Sequence, residues 1–144
     1  MADPLFTIDV DTTPVEAALT ALPTTLHALT MDACRVTAEA IVNEAKSRLA
    51  RQISSMSRGD AVAGISTRVS FDGDGYVVLS DDDRQPNLPL WLEKGTKPGK
   101  RHNYARTDPR PFFYASIELE ASAHERRIED AMQQAADDSG LGGT

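Results

Sequence analysis

The chain has 144 residues, 40% hydrophobic and 26% charged, with a net charge of −7 and a pI near 4.9. That length supports one domain with a modest core, and the acidic balance excludes a protein that coats nucleic acid without sequence preference. The single cysteine, Cys34, excludes an internal disulfide, and no secretory signal or membrane-spanning apolar stretch is expected, which points to folding in a reducing cytoplasm.

Residues 1–12 alternate loosely, with Leu5, Phe6, Ile8 and Val10 among Thr and Asp, as in a short strand or an extended arm. Thr12-Thr13-Pro14 followed by Glu16 is a helix-start signal. Pro23 is expected to end that helix early, so residues 1–23 read as an N-terminal extension carrying a short helix. A new, long helix is expected from Thr24 or Thr25 to about Ile53. Leu26, Leu29, Ala33, Val36, Ala40, Ile41, Ala45 and Leu49 recur at spacings of three and four and make one apolar stripe, against a polar side carrying Glu39, Asn43, Glu44, Lys46, Arg48 and Arg51. Cys34 falls within this pattern and reads as a small buried residue rather than a nucleophile.

Residues 54–59 have the composition of a flexible connector. Residues 63–80 then read as a β-hairpin. Ile65, Thr67, Val69 and Phe71 alternate up to Asp72-Gly73-Asp74-Gly75, and Tyr76, Val77, Val78 and Leu79 return. The two aspartates lack the further ligands and the bidentate Glu of a calcium loop, so the expectation is a turn. Asp81-Asp82-Asp83 could hold magnesium for nuclease chemistry, but adjacent side chains on extended backbone point to opposite sides, and a solvated loop is the favoured reading. Leu88, Leu90 and Leu92 alternate between Pro86 and Gly95, as a third strand or a short helix.

Charge is unevenly placed. Residues 1–22 hold Asp3, Asp9, Asp11 and Glu16 and no Lys or Arg, whereas residues 94–110 hold Lys94, Lys97, Lys100, Arg101, Arg106 and Arg110 against Asp108 alone. Complementary patches at separate places suit head-to-tail contact between copies; two unrelated solvated surfaces are the plainer account. His102 and Tyr104 lie among the cations, which makes a nucleic-acid-binding module the competing reading for residues 94–110. Asp108-Pro109-Arg110-Pro111 opens a last helix, whose face is expected from Phe113, Ile117, Ala121, Ile128, Ala131, Met132 and Ala135, interrupted by His124 in a structural role. Residues 137–144 read as a flexible tail. No phosphate loop, zinc spacing or nucleophile–base pair emerges, so the expectation is a protein without enzymatic activity, cofactor or metal.

The motifs Trp91-Leu92-Glu93-Lys94-Gly95-Thr96 and Arg110-Pro111-Phe112-Phe113, followed by the helical run 115–135, resemble the neck or tail-completion proteins of long-tailed bacteriophages, typified by gene product ten of the lambda-like coliphages. The order of elements matches over most of residues 24–136; the connector between the two motifs is longer and more basic than usual, and residues 1–23 have no counterpart. The resemblance implies an α+β fold, with the long N-terminal and the C-terminal helix packed on a small antiparallel sheet of a hairpin plus one or two strands. It implies a homo-oligomeric ring, six subunits by expectation, at the head–tail interface of the virion. The implied partners are the head-completion or connector protein and the tail terminator or tail tube, with double-stranded DNA passing through the lumen and no membrane. A tail terminator capping the tube is the alternative position. Trp91, Glu93, Lys94, Lys97, Lys100, Arg101, Arg106, Arg110 and Phe112 are the expected interface or fold determinants. Glu93 is expected to pair with a cation or accept backbone hydrogen bonds, Gly95 to take a positive φ, Pro111 and Phe112 to fix the entry of the last helix, and Phe113 to anchor it in the core.

Overall fold

The computed structural model describes residues 12–53, 58–81, 88–95 and 108–142. The elements run α1 (Thr13–Gln52), α2 (Arg58–Ala63), β1 (Ile65–Val69), β2 (Tyr76–Ser80), α3 (Leu88–Lys94) and α4 (Phe113–Asp138). The fold is α+β: α1 and α4 form an antiparallel pair, and a two-stranded antiparallel sheet packs on the C-terminal half of α1.

The expected break at Pro23 does not occur. α1 is a single helix of 40 residues with Pro23 inside it, so residues 13–23 belong to the same element as residues 24–52. Proline has no N–H to offer the Leu19 carbonyl. Pro23 and Leu19 are both exposed, so water reaches that oxygen and the penalty falls on local propensity alone.

At the other end of α1, Val42, Ala45, Leu49 and Ile53 meet Ala61, Ile65, Leu92 and Phe112 in the core cluster. Leu49, Ile65 and Phe112 are its largest fully buried side chains, each worth about 1.5–3 kcal/mol of transfer free energy. Residues 58 and 59, expected in a connector, lie in the short helix α2.

The hairpin forms with Ile65 opposite Ser80, Thr67 opposite Val78 and Val69 opposite Tyr76. Phe71 does not continue the strand; it stands fully exposed in the turn. Gly73 takes φ +79°, and Asp72 accepts from the Ser70 hydroxyl and the Asp74 amide. This is the turn chemistry of an Asp rather than a cation loop, and it holds the Asp72 carboxyl below the usual carboxylate range, chiefly through Ser70. Residues 88–94 are helical, and the two strands of the hairpin are the whole sheet among the described residues.

The face that α4 turns to α1 differs from the expected one. Ala131 and Ala135 are buried, but Ile117 and Met132 are exposed, and Ser116 is fully buried instead. Mid-way, Thr37 of α1 meets His124 Nδ1 at 3.0 Å and accepts from Arg127 at 3.0 Å, while Arg127 also donates to Glu120 at 3.1 Å. The contact face is thus rotated towards polar residues, which a buried hydroxyl on α1 can satisfy. His124 has the structural role expected of it. The small side chains Ala33, Ala131 and Ala135 allow close helix approach on the N-terminal side of that layer.

α4 ends in a Schellman motif. Gly140 takes φ +78°, its N–H donates to Asp137 O at 3.0 Å, and Leu141 N–H donates to Ala136 O at 2.9 Å. Residues 137–142, expected to be part of a flexible tail, are therefore the last turn of the helix and its cap.

Candidate functional site

The two motifs that carry the family resemblance meet in space. α3 is amphipathic: Pro89 and Leu92 are buried, while Leu90, Trp91 and Lys94 are exposed on its other side. Its C-terminus is closed by Gly95, with φ +72° as expected and its N–H donating to Trp91 O at 2.8 Å. Only glycine adopts that conformation without strain against a Cβ.

Glu93 projects from α3 to the first turn of α4. Its Oε2 accepts from the Phe112 and Phe113 amides at 2.9 and 3.0 Å, and its Oε1 accepts from the Tyr114 amide at 3.1 Å. A helix leaves its first N–H groups without internal partners and carries partial positive charge there. The first turn of α4 holds no acidic residue and Phe112 makes no side-chain cap, so a carboxylate 19 residues upstream does both jobs. This resolves the two expected alternatives for Glu93 in favour of backbone acceptance.

Further bonds pin the same junction. Arg110 N–H donates to Leu92 O at 2.7 Å, the Arg110 guanidinium donates to Gln52 O at 2.7 Å, and Gln52 Nε2 donates to Pro111 O at 3.3 Å. Phe112, not Phe113, is the core anchor: it is 1% exposed, whereas Phe113 is half-buried at the rim, edge-on to both Phe112 and Tyr114. Phe112 and Arg110 therefore act as fold determinants. No family model matches the chain, and no curated protein or solved structure matches it.

Trp91 and Lys94 remain on the surface, Trp91 at 46% exposure. Lys97, Lys100, Arg101 and Arg106, and with them most of the basic segment, lie outside the described residues. Asp82 and Asp83 do too, and Asp81 is exposed at the end of β2. Among the described residues no group of three or more His, Cys, Asp or Glu is placed to hold a metal, and no helix is long and apolar enough to cross a membrane.

Two surface features were missed in the sequence. A shallow groove between β2, α3 and the start of α4 is lined by Val78, Leu79, Leu90, Phe113 and Tyr114, with Leu90 and Tyr114 more than half exposed. At the far end of α1, Val15 and Leu19 are also more than half exposed. The second follows from the Pro23 error: a short separate helix carries no long stripe, whereas one continuous helix places Val15, Leu19, Leu22 and Leu26 on one face.

Proposed function

We propose that the chain is a structural virion subunit of the head–tail junction of a long-tailed bacteriophage, a neck or tail-completion protein whose copies close into a ring around the DNA path. The observation that carries this reading is the Glu93 clamp. The Trp91–Thr96 and Arg110–Phe113 motifs, on which the family resemblance rests, are two halves of one device that sets the angle between α3 and α4. Residues used in this way serve shape, and shape is what a ring subunit presents to its neighbours. The elongated α1–α4 pair supports the same reading, because it separates two chemically unlike ends on one subunit, and a heterologous contact between unlike surfaces closes into a ring when its rotation permits.

The test is direct. Native mass spectrometry and negative-stain electron microscopy of the purified full chain at high concentration and low salt should give a closed oligomer with a central opening. A strictly monomeric protein under those conditions overturns the proposal.

A further inference from the structure

α1 is about 60 Å long and α4 about 39 Å. Their register, with Thr37 beside His124 and Arg127 and Gln52 beside Pro111, leaves about the first twelve residues of α1 beyond the end of α4. The apolar stripe of α1 does not stop there. It continues through Leu22 to Leu19 and Val15, the last two at 55% and 51% exposure, although Ala18 beside them is buried at 8%. Glu16 is the one charged residue in this overhanging stretch; Asp32, further along, is paired at 2.7 Å with Arg35, the first cation in the chain.

The opposite end of the molecule shows the complement. Leu90 at 51% and Tyr114 at 57% exposure line one apolar groove, and Trp91, next to Leu90 on α3, is 46% exposed. Exposed Lys94 shares the α3 face with Leu90 and Trp91 at helical spacing, and in sequence five more cations follow it by residue 110 against Asp108 alone. This surface sits over the core at Leu92 and Phe112, beside Leu49. From Leu19 to Leu49 along α1 is about 45 Å. One chain cannot bring the two surfaces together, but two chains can.

We propose that the α1 stripe of Val15, Leu19 and Leu22 in one copy seats on the Leu90, Trp91 and Lys94 face of α3 in the next. This rests on the reading of the chain as a self-assembling ring subunit and assigns the two unlike surfaces of its interface. An amphipathic helix laid on an apolar groove is a common recognition mode. Glu16 on the arm and Lys94 on α3 have opposite signs, which favours this contact over arm-to-arm pairing.

The experiment uses full-length chains in a Cys34→Ala background, one carrying Leu19→Cys and the other Trp91→Cys, mixed before mild oxidation. Disulfide-linked 19–91 pairs are the expected product, and in the otherwise unmodified chain Leu19→Asp should weaken assembly roughly tenfold or more. Native mass spectrometry of the unmodified chain separates the two levels of failure. A closed oligomer that yields 19–19 links, or no 19–91 links and full tolerance of Leu19→Asp, overturns this interface while the ring stands. A monomer throughout removes the ring and the interface together.

Discussion

Replacing Glu93 tests the device that joins α3 to α4. In Glu93→Ala three amide donors at the start of α4 lose their acceptor at once. The Tyr114 amide is exposed and water replaces the carboxylate there, but those of Phe112 and Phe113 are partly buried. A hydrogen bond to a charged acceptor contributes about 1.5 kcal/mol at the low end, and a carboxylate at a helix N-terminus about 0.5 kcal/mol more. The expected cost is therefore about 3.5 kcal/mol, a large share of the ~5–15 kcal/mol that stabilises a typical domain.

The order of variants separates geometry from charge. Glu93→Gln keeps one oxygen for the two partly buried amides and turns its NH2 towards the exposed one, so it should cost about half as much. Glu93→Asp keeps the charge but is shorter by one methylene, about 1.5 Å, and cannot reach all three amides; it should fall close to Ala. Urea unfolding followed by far-UV circular dichroism gives the free energies. Emission from Trp91, the only tryptophan, reports α3 itself, and hydrogen exchange of the Phe112 and Phe113 amides reads the bonds directly. A loss below about 0.5 kcal/mol in Glu93→Ala, or an Asp variant as stable as the native chain with Gln the worst of the three, refutes the clamp.

Phe112→Ala should cost about 3–5 kcal/mol in the same unfolding assay, whereas Phe71→Ala, at a fully exposed turn position, should stay within about 0.5 kcal/mol. Thr37→Val removes the hydroxyl that meets His124 and Arg127 at nearly constant volume and should cost about 1 kcal/mol. Pro23→Ala should raise protection of the neighbouring α1 amides in hydrogen exchange, because it supplies the missing N–H without disturbing any buried contact. The Asp72 carboxyl, held low by the Ser70 hydroxyl and then the Asp74 amide, should show a depressed midpoint by NMR, and Ser70→Ala should move it up. Since the folded-state value is the lower one, the turn's contribution is present above the ordinary aspartate pKa and is lost as pH falls through the folded-state value.

The elements that local pattern controls were legible. Apolar spacing of three and four marked α1 from Leu26 to Leu49, Asp-Gly marked the hairpin, and Gly95 marked a positive φ. Two of the errors, the contact face of α4 and the choice between Phe112 and Phe113, share one cause, a partner that lies far away in the chain. Pro23 is a separate case: an interior proline costs about 3 kcal/mol even on an exposed helix, and α1, at 40 residues, continues through it with Pro23 and Leu19 both exposed. On α4, Ile117 and Met132 drew the expected face because they are apolar, while the polar face won because Thr37 waits opposite it. Phe112 and Phe113 are adjacent, and no periodicity says which turns inward. The entry angle of the helix decides, and Glu93 sets that angle from 19 residues upstream.

That remote clamp also bears on where function is free to reside. The chain leaves the core at Gly95 and is back by Arg110, whose amide bonds Leu92 O, so both ends of the basic excursion are held at one place. With both ends fixed there, doubling the length of such a connector would cost only about 0.6 kcal/mol in closure entropy. A connector longer and more basic than in the proteins the two motifs resemble is therefore compatible with an unchanged scaffold. The clamp sets the positions of α3 and α4, and through them the exposed Leu90, Trp91 and Tyr114; Arg110 bonds Gln52 O, whereas the cations between Gly95 and Arg110 are expected to be alterable for a particular neighbour without altering the subunit. Substitutions among Lys97, Lys100, Arg101 and Arg106 should accordingly change assembly and leave unfolding free energy alone, whereas substitution of Glu93 should change both.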